Sequence, residues 1–78
     1  MLIVYSKNNC NACSQAKALL TNLGYEFEVR NVDEDFEAFD FIISQQHRSF
    51  PQIYKADNTL FVEGGYRGLV AKFADAKI

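Results

Sequence analysis

Cys10 and Cys13 are the only cysteines in the chain, three residues apart in Cys10-Asn11-Ala12-Cys13. A pair at that spacing can cycle between dithiol and disulfide, supply half of a metal site, or sit as two inert thiols. A structural zinc site needs four ligands, and beyond the pair the chain offers only His47. Redox chemistry without a metal is therefore the expected use within one chain; an iron–sulfur or zinc site shared across a dimer is the alternative. By helix rise and radius, Cα atoms three residues apart lie about 5 Å from each other, inside the window a disulfide needs. Such a pair closes and reopens with little backbone movement.

The position of the pair matters as much as its spacing. Leu2-Ile3-Val4-Tyr5 reads as a buried strand, Ser6 to Asn9 as a polar turn, and the cysteines as the opening of a helix. The first N–H groups of a helix lack intrahelical partners and carry partial positive charge, so a thiolate there is stabilised and its pKa falls. Lys7, three residues before Cys10, adds a cation on the approach. Cys10 is thus the expected attacking sulfur. Cys13, one turn in beside Ala12 and Ala16, is the expected resolving sulfur and the less exposed of the two.

The elements that must hold the pair follow in order. Ala12, Ala16, Leu19, Leu20 and Leu23 make one apolar helical stripe, ended by Gly24 at the usual C′ position. Tyr25 to Arg30 alternates apolar with charged residues, predicting a strand with Tyr25, Phe27 and Val29 on its buried face. Strand, helix and strand joined by short links form a βαβ unit, so the first two strands are expected to be parallel. Asp33 is the expected N-cap of a second helix, whose stripe of Phe36, Phe39, Ile42 and Ile43 reads as core. Pro51 cannot donate to a sheet ladder and belongs at a strand start or edge. Gln52 to Lys55 and Thr59 to Glu63 form a hairpin around Asp57-Asn58, which makes the sheet mixed. Gly64-Gly65 then allows positive φ or a close backbone approach, before a last helix with Tyr66, Leu69, Val70 and Phe73 on its apolar face.

Seventy-eight residues make one domain, over 1–78, and at that size the core is marginal. Hydrophobic residues are 49% of the chain and aromatics 14%, so the core is expected to rest on Phe and Leu rather than on disulfide staples. The one tight cysteine pair closes too small a loop to serve as such a staple. No signal segment is evident before the first strand and no apolar run approaches spanning length, so a reducing, cytoplasmic setting is expected, without a membrane. A net charge of −2 argues against nucleic acid as the main partner.

The predicted order β-α-β-α-β-β-α, with a CxxC after the first strand, is that of a minimal thioredoxin fold, an α/β class with a mixed four-stranded sheet and helices on both faces. Across the whole chain the sequence resembles the glutaredoxin family. The resemblance is carried by Tyr5-Ser6-Lys7-Asn8-Asn9-Cys10, the Cys10/Cys13 spacing, Ser49-Phe50-Pro51-Gln52-Ile53-Tyr54 and Gly64-Gly65-Tyr66. It implies a thiol–disulfide oxidoreductase with Cys10 and Cys13 catalytic and glutathione as reductant. It implies further that Pro51 is cis and packed beside the dithiol, and that Phe50 pairs through its backbone with glutathione or a substrate. Lys7 would hold a glutathione carboxylate, and Gly65 with Tyr66 would line the other end. Protein disulfides, such as that of ribonucleotide reductase, are the implied substrates of a monomer. A dimeric cluster-binding module and a non-catalytic adaptor are the readings from other classes.

Departures from the family pattern modify this expectation. Asn11-Ala12 stands where dithiol members usually carry Pro-Tyr, which removes a contact wall for glutathione. Arg67-Gly68 stands where the family usually places aspartates that hold the glutathione amino group, and a cation there would repel it. In Gly65-Tyr66-Arg67 the chain is similar to glutaredoxin-like redoxins that draw electrons from thioredoxin reductase and serve ribonucleotide reductase.

Overall fold

The computed structural model describes residues 1–73. It has the element order β1 (Leu2–Ser6), α1 (Asn11–Asn22), β2 (Phe27–Asn31), α2 (Phe36–Ser44), β3 (Gln52–Lys55), β4 (Leu60–Val62) and α3 (Gly65–Phe73). The four strands form one mixed sheet in the order β2-β1-β3-β4. β1 runs parallel to β2 in the register Val4 opposite Val29, and antiparallel to β3 with Val4 opposite Ile53. β3 and β4 complete the hairpin, with an irregularity between Ile53 and Tyr54.

β1 lies at the centre because every one of its residues is apolar or small enough to be buried, and all five are. Alternation sends Leu2 and Val4 to one face, where they meet Ala16 and Leu20 of α1 and Leu69 of α3. Ile3 and Tyr5 go to the other face, against Ala38 and Ile42 of α2. Helices therefore cover both faces, as expected. Fully buried Leu20, Ile42, Ile53 and Leu69 each contribute about 1.5–3 kcal/mol from removal of apolar surface. The second face is aromatic: Tyr5, Phe41 and Tyr54 pack mutually at ring separations of 5.1–5.6 Å.

Five sequence expectations are corrected. β2 begins at Phe27 rather than Tyr25, because the Tyr25 N–H is still engaged by the Leu20 carbonyl at the end of α1. On that edge strand Val29 is left 42% exposed. Asp35, not Asp33, caps α2, its carboxylate accepting from the N–H groups of Glu37 and Ala38. The stripe expected to be core on α2 largely faces outward: Phe36 is 75% exposed, Ile43 53% and Phe39 43%, while Ala38 and Ile42 are buried. Val70 on α3 is likewise exposed, so Leu69 anchors that helix with Tyr66 and Phe73 partly buried beside it.

Among the described residues no helix is long and apolar enough to cross a membrane.

Candidate active site

The pair is placed by the boundary between β1 and α1. Asn9 takes a positive φ of 55°, turning the chain so that Cys10, in extended conformation, becomes the N-cap of α1. Cys10 Sγ accepts a hydrogen bond from the Cys13 N–H at 3.1 Å, the capping contact a serine or aspartate oxygen would make elsewhere. The two cysteines are joined in a disulfide with Cα atoms 5.3 Å apart, matching the helix-geometry expectation. Cys13 is 1% exposed, whereas Cys10 is partly open to solvent. When the disulfide opens, the N–H contact and the positive end of α1 both favour negative charge on the outer sulfur. α1 has no acidic residue in its first turn to oppose this.

The turn before the pair is tied down by residues the sequence reading did not assign to it. Asp33 Oδ2 accepts from the Asn8 N–H at 2.8 Å, and Asn31 Nδ2 donates to Asn8 Oδ1 at 2.9 Å. Asp33 thus fastens the approach loop instead of capping α2. A signal for it was present only as an acidic residue in a polar break, which turn chemistry alone cannot assign to a partner 25 residues away.

The Phe50–Pro51 peptide bond is cis, and Pro51 is buried. Gln52 is buried too, and its side-chain amide donates to the Ser49 carbonyl at 2.9 Å, bracing the turn from below. Among the described residues, neither the N–H nor the carbonyl of Phe50 is taken up by a backbone partner. Lys7 Nζ stands 5.8 Å from the centre of the Phe50 ring, so Lys7 and Phe50 are brought together.

Gly64 and Gly65 both adopt positive φ, 87° and 58°. The close approach made at Gly65 is to the protein itself: a Cβ there would lie 2.6 Å from the Pro51 carbonyl oxygen. The glycine therefore lets the start of α3 press against the cis-proline turn. Beside this junction lies a cleft of about 450 Å³ lined by Ala12 and Gln15 of α1, Ser49 and Phe50, and Gly64 to Arg67. It gathers Phe50, Gly65 and Tyr66 in one place and adds Gln15 and Arg67. Among the described residues Arg67 is its only charged lining residue.

His47 stands apart from the dithiol, its Nε2 sharing a 2.6 Å hydrogen bond with the Tyr54 hydroxyl. Among the described residues, no group of three or more His, Cys, Asp or Glu side chains is gathered as a metal site would require.

The family model described as Glutaredoxin matches residues 2–61. The chain belongs to the glutaredoxin family. It is 37% identical over 67 residues to the glutaredoxin-like protein NrdH of Lactococcus lactis subsp. lactis, covering 86% of this chain and 89% of that one. To NrdH of Escherichia coli K12 it is 32% identical over 56 residues, covering 72% and 69%. A solved structure of the Escherichia coli glutaredoxin-like NrdH-redoxin, described as having a thioredoxin-like activity profile, superposes with a TM-score of 0.67 over 72% of this chain and 74% of that one. A buckwheat glutaredoxin–glutathione complex, 24% identical, shares the fold with a TM-score of 0.76, covering 97% and 70%. This glutaredoxin-family chain, with its Cys10–Cys13 pair at a helix start, is a thiol–disulfide oxidoreductase.

Proposed function

We propose that Cys10 is the attacking sulfur and Cys13 the resolving one, and that a thioredoxin-reductase-type flavoprotein resets the pair. The Cys10 thiolate attacks one sulfur of a protein disulfide, and the other substrate sulfur leaves as a thiolate. Cys13 then attacks Cys10 of the mixed disulfide, releasing the second substrate thiolate and closing the Cys10–Cys13 bond. Two electrons pass to the substrate, whose thiolates take up two protons. The burial of Cys13 against the partly open Cys10 supports this division of labour.

Ribonucleotide reductase is the proposed substrate and the cytoplasm the proposed setting, with the protein acting as a monomer. The similarity to NrdH proteins supports a redoxin of this kind.

The observation that carries the choice of reductant is Arg67 in the cleft. A glutathione molecule there would need an anion for its ammonium group. Among the described residues no carboxylate lines the cleft, and Arg67 occupies the place where the family resemblance implies aspartates. Lys7 beside Phe50 favours the second reading, in which its ammonium holds a glutathione carboxylate and glutathione is the reductant.

The test follows NADPH consumption with a disulfide substrate, once with thioredoxin reductase alone and once with glutathione plus glutathione reductase. Turnover with thioredoxin reductase is the expected result. Turnover only with glutathione would overturn the choice and make Lys7 and Tyr66 glutathione contacts.

A further inference from the structure

The chain as a whole is acidic, with ten Asp and Glu against eight Lys and Arg. The acids are not spread evenly. Asp33, Glu34, Asp35, Glu37 and Asp40 lie on and just before α2, which covers the opposite face of the sheet from α1 and α3. Asp33 is further occupied by the Asn8 N–H. The cleft beside the dithiol has the reverse character. Arg67 lines it, and Lys7 stands over the ring of Phe50, another of its lining residues. Glu63, next in sequence to the lining glycines, is not among the lining residues. Among the described residues the one ion pair is Arg30–Glu28, and no carboxylate among them neutralises Arg67 or Lys7.

We infer that the cleft selects polypeptide disulfides carried on acidic segments, with Arg67 and Lys7 as the residues that read the charge. This rests on the reading above, that Cys10 attacks a protein disulfide lying beside the cleft. A substrate strand pairing with the open N–H and carbonyl of Phe50 lies beside Lys7, which stands over the Phe50 ring, and beside the cleft that Arg67 lines. Arg67 presents a guanidinium, able to take a carboxylate in a two-pronged hydrogen bond; Lys7 presents an ammonium. Both cations are solvent-exposed, so each attraction is modest and sensitive to salt. The effect is one of preference among substrates, not of competence.

The test uses three synthetic peptides with the same Cys–Cys disulfide, flanked by glutamates, glutamines or lysines. Each is mixed with the pre-reduced protein alone, so that both electrons come from the Cys10/Cys13 dithiol and no reductase or glutathione takes part. The glutamate peptide should be reduced faster than the lysine peptide, by up to about five-fold for each cation engaged. The chain's net charge of −2 would give the opposite order, so the two explanations separate. The ratio should approach one near 1 M salt, fall in Lys7→Gln and Arg67→Gln, and invert in Arg67→Glu. Equal rates at low salt, or a glutamate preference unchanged by Arg67→Glu, would overturn the inference. Failure of the wild-type protein to reduce any of the peptides would instead overturn the underlying reading of Cys10.

Discussion

Gly68 sits inside α3, where replacement by alanine would ordinarily stabilise a helix by about 1 kcal/mol. The structure reverses that sign. A Cβ at Gly68 would lie 1.7 Å from the Glu63 carbonyl oxygen, 2.8 Å from its carbon and 3.1 Å from a Val62 methyl. The obstacle is backbone at the end of β4, so no side chain can rotate away. Relief requires α3 to withdraw by more than about 1 Å or its first turn to unwind. Either movement loosens Leu69, which is fully buried, and the partly buried Tyr66 and Phe73 around it. Partial loss of that packing costs about 2–4 kcal/mol, against a total of about 4–12 kcal/mol for a domain this size. Urea unfolding followed by circular dichroism reads the difference directly. Gly24→Ala is the comparator: its φ is +84° but nothing lies within 4 Å of the added carbon, so only the backbone cost of about 1–2 kcal/mol applies. Gly68→Ala should unfold at lower urea than Gly24→Ala. A midpoint at or above that of the unsubstituted protein would refute the packing argument.

Three further predictions concern the parts the sequence placed differently or left unassigned. Phe36→Ser should change stability by less than about 0.5 kcal/mol, whereas Ile42→Ala should cost about 2–5 kcal/mol; equal costs in thermal or urea unfolding would restore the aromatic stripe to the core. Burial, reinforced by Tyr5, raises the Tyr54 hydroxyl above the ordinary tyrosine value, so the folded state keeps a proton that the unfolded chain has lost. Stability should therefore fall as pH rises through about 10, less steeply in Tyr54→Phe, and a urea midpoint with the same alkaline slope in both proteins would count against this. Asp33→Ala removes the acceptor of the Asn8 N–H and should cost about 0.5–1 kcal/mol, with faster hydrogen exchange at the Asn8 amide as its local signature.

Much of the site was legible because its chemistry is local. The CxxC spacing, the strand before it and the glycine after α1 are each read within one turn or one strand. Their outcomes are a 5.3 Å Cα separation, a wholly buried β1 and a Gly24 at φ 84°. The errors arose where two local answers competed and distant packing decided. Asp33 and Asp35 both suit an N-cap; the turn carries on two residues further because the N–H groups of Glu34 and Asp35 both bond the Asn31 carbonyl, which hands the cap to Asp35. α2 carries two apolar stripes, and the bulkier one faces outward because the sheet meets the side with Ala38, a residue small enough for close approach. Spacing gives the period of a stripe, not the face that its neighbours cover. Gly68 looked like part of a departure from a motif; its contact with Glu63 exists only once β4 and α3 are folded together.

The central claim is that Cys10 attacks and Cys13 resolves. The most direct measurement treats reduced Cys13→Ser and Cys10→Ser with the same small disulfide and locates the adduct by mass spectrometry against time. The account predicts rapid accumulation of a mixed disulfide on Cys10 in Cys13→Ser, and little adduct on the buried Cys13 in Cys10→Ser. An adduct forming on Cys13 as fast as on Cys10 would contradict it.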